Sequence, residues 1–97
     1  MREIFTQDQR LVILRSLSEV GGYDANESIL DDCLEAYGHH VSRDVVRNHL
    51  VWLEEQGLVS LKRLAGDYLV ATLTQRGLDV ANGEATVIGV KRPAPKF

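Results

Sequence analysis

Apolar residues recur at the spacing of helical turns along most of the chain, and one stretch after residue 57 alternates instead. Leu11, Leu14, Leu17 and Val20 follow at intervals of three, which places them along one face of a helix. Thr6 with Gln9 reads as a capping box opening that helix. Gly21-Gly22 closes it, because glycine readily takes the left-handed conformation of a helix C-terminus. Asp24 and Glu27 give a second cap signal. The second helix carries Ile29, Leu30, Cys33, Leu34 and Tyr37 on its apolar face and Glu27, Asp31 and Glu35, four apart, on an acidic opposite face, and it ends at Gly38. Ser42 is a good N-cap for a third helix. Val46, Leu50 and Leu53 form its stripe, flanked by Val45, His49 and Trp52, and Gly57 ends it.

Two short runs follow, Leu58 to Leu64 and Tyr68 to Leu73, separated by Ala65-Gly66-Asp67. This is a hairpin signal. With all three intervening residues in the loop, Val59, Leu61 and Arg63 face the same side as Leu69, Ala71 and Leu73. A two-residue Gly66-Asp67 turn would set apolar residues against polar ones, so burial favours the three-residue loop. Thr74 caps a fourth helix over about Gln75 to Asn82, with Leu78 and Ala81 inward and Gly83 at its end. Ala85 to Val90 is β-prone. The tail from Lys91 to Phe97 is basic and contains both prolines of the chain, so it cannot form a regular helix. The expected organisation is one domain over residues 1–83 and a β-prone, basic segment over 84–97.

Length and composition narrow the class. Ninety-seven residues make one domain, since domains typically run to about 100–150. One cysteine, Cys33, permits no intrachain disulfide and suits a reducing cytoplasm. No apolar run approaches the roughly 20 residues of a membrane span, and the N-terminus lacks a signal-peptide core. A cytoplasmic protein is expected. The net charge of −3 is unevenly spread: residues 1–41 hold three basic and eight acidic side chains, residues 42–97 eight basic and six acidic.

The order helix, helix, capped helix, Gly-Leu-Val, hairpin, Leu-Thr, helix resembles winged helix-turn-helix proteins of the prokaryotic regulator type. Ser42 to Val59 is similar to their recognition helix and the start of the wing, and Leu73-Thr74-Gln75-Arg76-Gly77 to the strand-to-helix junction after it. The chain also resembles small winged-helix proteins of Mu-like phages, and a phage-encoded chain is expected in the host cytoplasm. The resemblance implies an α+β fold, with a three-helix core, a β-hairpin wing and a short C-terminal helix, and a non-enzymatic role in DNA binding, as a regulator of transcription or a DNA-packaging accessory. A recognition helix enters the major groove. With Val46, Leu50 and Leu53 inward, Arg43, Asp44, Arg47, Asn48, Val51 and Glu55 face outward. Arginine can donate two bonds to guanine and asparagine can pair with adenine. Lys62 and Arg63 near the wing tip, and Lys91, Arg92 and Lys96 in the tail, suit phosphate contacts. The DNA-binding set is therefore Ser42, Arg43, Arg47, Asn48, Lys62, Arg63, Lys91 and Arg92, with double-stranded DNA as partner.

The same residues have a plainer reading as solvated surface charges, with Arg47 paired to Asp44 or Glu54. The alternative function is an adaptor that contacts a protein through its acidic second helix or its wing. A homodimer through Ile4 and Phe5, or through Thr86 to Val90, would present paired half-sites. Cys33, His39 and His40 include metal-ligand types, but Cys33 lies on an apolar stripe and no paired spacing supports a site, so no metal or cofactor is expected. His49 reads as a partly buried, hydrogen-bonded residue, and Trp52 and Tyr68 as core or interface aromatics. No phosphate-cradling glycine loop or nucleophile-base spacing points to an enzyme.

Overall fold

The structure is a computed structural model that describes residues 2–94. It is α+β, with four helices and a three-stranded antiparallel sheet. In chain order the elements are α1 (Arg2–Glu19), a 3₁₀ turn (Gly21–Tyr23), β1 (Asp24–Asn26), α2 (Glu27–Ala36), α3 (Arg43–Glu55), β2 (Val59–Leu64), a 3₁₀ turn (Ala65–Asp67), β3 (Tyr68–Leu73) and α4 (Gln75–Ala81). This order is compatible with a winged helix-turn-helix.

Helix α1 starts at Arg2, so Thr6 and Gln9 lie inside it and do not cap it. Nothing in residues 2–5 breaks a helix. Leu11, Val12, Ile13, Leu14 and Leu17 are all buried, so α1 is buried on more than one side and forms the centre of the molecule. The chain leaves it through Gly22 and Tyr23, both at positive φ, and enters β1, a strand that the apolar spacing does not announce. Its three residues pair with β3, Asp24 opposite Thr72, Ala25 opposite Ala71 and Asn26 opposite Val70. Asp24 is thereby committed to the strand. Asn26 is the N-cap of α2, its Oδ1 accepting the Ile29 N–H at 2.8 Å.

Helix α2 is rotated from the expected orientation. Its buried residues are Glu27, Leu30 and Leu34, whereas Ile29 and Tyr37 are exposed and Cys33 is half-buried. Glu27 therefore belongs to the interior and not to a solvated acidic face. Helix α3 follows its sequence pattern: Ser42 caps it through the Val45 N–H, and Val46, Leu50 and Leu53 are fully buried.

The sheet order is β1-β3-β2, with β3 central. Val59 lies opposite Leu73, Leu61 opposite Ala71 and Arg63 opposite Leu69, the register that the three-residue loop requires. Gly66 and Asp67 both take positive φ in that loop. Thr74 caps α4 through the Gly77 N–H. Gly77, Val80 and Ala81 are its buried residues, while Leu78 is only partly buried.

The stretch 85–90 forms no strand. Val87 and Val90 enter the core, a turn closes with the Val90 N–H on the Val87 carbonyl, and the Lys91 N–H reaches the Gln7 carbonyl of α1. Gly89, at φ 105°, lies against the Trp52 ring, where a Cβ would come within 2.7 Å of Trp52 Cζ2. A glycine in that conformation interrupts the extended backbone that its β-branched neighbours favour.

Candidate nucleic-acid interface

The sequence-predicted site residues fall into three groups. Ser42, Arg43, Arg47 and Asn48 occupy the first two turns of α3. Ser42 is committed to its capping bond, and Asn48 is exposed. Lys62 and Arg63 lie exposed in β2 close to the hairpin loop. Being adjacent in a strand, they point to opposite faces, so the hairpin offers a cation on each side. Lys91 and Arg92 lie beside α1, on the segment after α4. Lys91 Nζ is 3.4 Å from Asp8, and Arg92 donates to Thr86 Oγ1 at 3.3 Å. Lys96 lies outside the described residues.

The two arginines of α3 differ. Glu27, in the first turn of α2 and 1% exposed, accepts the Leu69 N–H at 2.8 Å and the Arg47 guanidinium at 3.1 Å, both through Oε1. Arg47 therefore pairs neither with Asp44 nor with Glu54. It neutralises a carboxylate buried between α2, α3 and β3, where an unpaired charge would be costly. Arg43 stands farther off, 4.0 Å from Glu27 and 3.8 Å from Asp31, with 44% of its side chain exposed. Its charge remains available at the surface. Asp44, Glu54 and Glu55 share the helix, so α3 as a whole is not basic.

A buried polar chain links α1, α3 and the loop before α3. Asp8 Oδ2 is 2.6 Å from His39 Nε2, His39 Nδ1 is 3.5 Å from Gln9 Nε2, Gln9 Oε1 is 2.8 Å from His49 Nε2, and Arg10 Nε is 3.2 Å from His49 Nδ1. Arginine can only donate, so His49 Nδ1 accepts and its Nε2–H donates to Gln9. Burial, with the Arg10 and His39 charges nearby, pushes the His49 pKa down to about 4. Burial would raise the pKa of Asp8, but the hydrogen bond from His39 and the Lys91 ammonium outweigh it and hold that carboxyl below its usual value. Arg10 also stacks on Trp52, 3.8 Å from the ring centroid, and donates to the Gly89 carbonyl. Its own pKa is lowered by burial. Sequence patterning gives Gln9 a capping role and marks Arg10 only as a polar position, whereas their actual partners lie 30 or more residues away.

Along α3, Arg10, Val45, Asn48, Val51, Trp52 and Glu55 line an open groove of about 470 Å³. Ile4, Phe5 and Ile88 are exposed, Ile88 almost completely. Among the described residues no three His, Cys, Asp or Glu side chains gather as a metal site, and no helix is long and apolar enough to cross a membrane.

Comparison with known proteins adds two relatives. The chain is 60% identical over 96 residues to gp26 of Escherichia phage Mu, an uncharacterized protein, with 99% of this chain and 98% of that protein covered. It is 55% identical over 95 residues to an uncharacterized protein of Haemophilus influenzae, covering 98% of this chain and 92% of that one. No family model matches the chain, and no solved structure matches it.

Proposed function

The chain belongs to the family of gp26 of Escherichia phage Mu, and from that premise we propose that it is a winged helix-turn-helix protein that binds duplex DNA without catalysing a reaction. The observation that carries this reading is the joint exposure of Arg43 and Asn48 on α3 and of Lys62 and Arg63 on the adjoining β2–β3 hairpin. A helix end and a hairpin of this kind suit a major groove and the neighbouring phosphate strand. Arg47 acts indirectly, by holding α3 against α2 through Glu27. Ser42 supplies the cap that fixes where α3 begins. The corresponding roles are control of phage transcription or assistance in DNA packaging, from a cytoplasmic location.

The test is an amide chemical-shift titration of the labelled protein with a mixed-sequence duplex. The expected footprint covers residues 42–48 and 61–66 and leaves the β1 edge unmoved. A footprint confined to α1 and α2 would remove α3 as the reader.

A second reading, an adaptor that binds protein, draws on the groove beside α3. Its apolar lining of Val45, Val51 and Trp52, with Glu55 at its edge, is better suited to a peptide than to phosphate. Homodimerisation through Ile4 and Phe5, or through Ile88, fits either reading.

A further inference from the structure

The geometry points to a phosphate-binding site on the opposite side of α1 from its contact with His49, in a cleft between α1, the end of α4 and the segment Arg92–Ala94. The cleft has a volume of about 460 Å³, and Arg15, Asn82, Gly83, Arg92 and Pro93 line it. That volume is in the range of small-ligand pockets, roughly 300–1,000 Å³.

Two cations without a carboxylate partner line this one concave surface. Arg43 and Arg47 are set against Glu27 and Asp31, and Lys91 against Asp8, while Lys62 and Arg63 stand exposed on the hairpin. Arg10 is engaged by His49, Gly89 and Trp52. No carboxylate lines the Arg15–Arg92 cleft. Arg15 has no ion pair among the described residues, and Arg92 contacts the neutral Thr86 hydroxyl. Glu19, one turn beyond Arg15 on α1, is not within ion-pair distance of it.

The plainer role for arginines at this place would be to satisfy the last carbonyls of α4. The carbonyls of Leu78, Asp79 and Val80 already have backbone donors. The Asn82 N–H bonds the Leu78 carbonyl, Gly83 bonds Val80, and both Glu84 and Ala85 bond Asp79. Neither guanidinium donates to them. The cleft is also shaped by backbone. Gly83, at φ 82°, turns the chain out of α4, and a Cβ there would stand 3.3 Å from Pro93 Cγ. Two arginines lining one concave surface that no carboxylate lines suit the planar, two-pronged recognition of a phosphate group. The site takes a phosphate from one of two sources, a free phosphorylated small molecule or the backbone of DNA. It stands on its own observations and does not depend on the α3–hairpin reading.

The test is a titration of the labelled protein with inorganic phosphate, then with adenosine monophosphate, against chloride at matched ionic strength. Saturable shifts at Arg15, Asn82, Gly83 and Arg92 are expected with phosphate and not with chloride. The Arg15→Ala, Arg92→Ala double variant should lose them. Both side chains are exposed, so its melting temperature should match the wild type. Equal responses to phosphate and chloride, or a response that survives the double substitution, would overturn the site. The same variant on a duplex separates the sources. Unchanged duplex affinity with lost phosphate binding identifies a free phosphorylated ligand, and parallel loss of both identifies the DNA backbone.

Discussion

His49 lies between Arg10 and Gln9 in a way that leaves its ring no room to be charged. One ring nitrogen already accepts from a cation and the other donates to an amide oxygen. A second ring proton would place two positive groups in contact. The pKa near 4, against 6.5 for an ordinary histidine, follows from burial and the adjacent charges. Between these values the folded protein binds fewer protons than the unfolded chain. Stability from this group is therefore complete above about pH 6.5 and is lost as pH falls towards 4. The loss should be on the order of 2–3 kcal/mol by pH 4. Urea unfolding between pH 7 and pH 4 should show this slope, and His49→Gln should flatten it. An unchanged slope in the variant would assign the acid sensitivity to another group. The residue type and partial burial of His49 are legible in the sequence, because it flanks the stripe of α3. The hydrogen-bonded chain is not, since its members come together only through tertiary packing. Glu27 is harder still: a carboxylate in a helix's first turn reads as solvated, and its burial depends on Arg47 and the Leu69 amide, 20 and 42 residues away.

At the scale of elements, the hairpin register was readable because a one-residue slip would turn Leu69, Ala71 and Leu73 away from the core. The Ser42 and Thr74 caps were readable from local spacing, whereas Thr6 and Asp24, equally local signals, are overridden by the earlier start of α1 and by the pairing of β1 with β3. Strand β1 was not readable, because three residues of Asp-Ala-Asn have no apolar alternation and owe their conformation to pairing with β3. The tilt of α2 was likewise hidden, since Leu30 and Leu34 are buried on either reading and only the packed structure decides between Ile29 and Glu27 as their companion. The junction of β3 and α4 depends on one glycine. A Cβ on Gly77 would collide with the Leu58 carbonyl and stand 2.7 Å from Leu73 Cδ1. Backbone cannot yield there without separating α4 from the start of β2. Gly77→Ala should therefore cost about 3 kcal/mol or more, beyond the range of ordinary substitutions. Gly66→Ala, in a loop with open space around it, should cost only about 1 kcal/mol, mainly for its positive φ. Thermal unfolding of the two variants measures the difference. Equal destabilisation would mean that the α4 junction is looser than its geometry indicates.

For the whole molecule, an overall charge of −3 bears directly on the proposed polyanionic partner. Much of the negative charge is in the first half of the chain, and part of it is internal, in Glu27. The exposed cations on which the DNA reading rests are Arg43, Lys62 and Arg63. Packing against Glu27 removes Arg47 from the freely available set. Substituting Arg47 would leave Glu27 buried without its counter-charge, at a cost of about 3–5 kcal/mol, and loss of binding in that variant would report on folding. The decisive measurement is fluorescence anisotropy on a labelled mixed-sequence duplex, at roughly 50 and 200 mM salt. It compares the wild type with the Arg43→Gln, Lys62→Glu, Arg63→Glu variant, which puts no new carboxylate beside Glu27 and Asp31 and whose melting temperature should match the wild type. Wild-type binding should weaken at least ~10-fold over this range through counterion release, and the variant should show no measurable binding. Absence of wild-type binding at the lower salt, or a variant that binds as well as the wild type, would contradict the DNA reading.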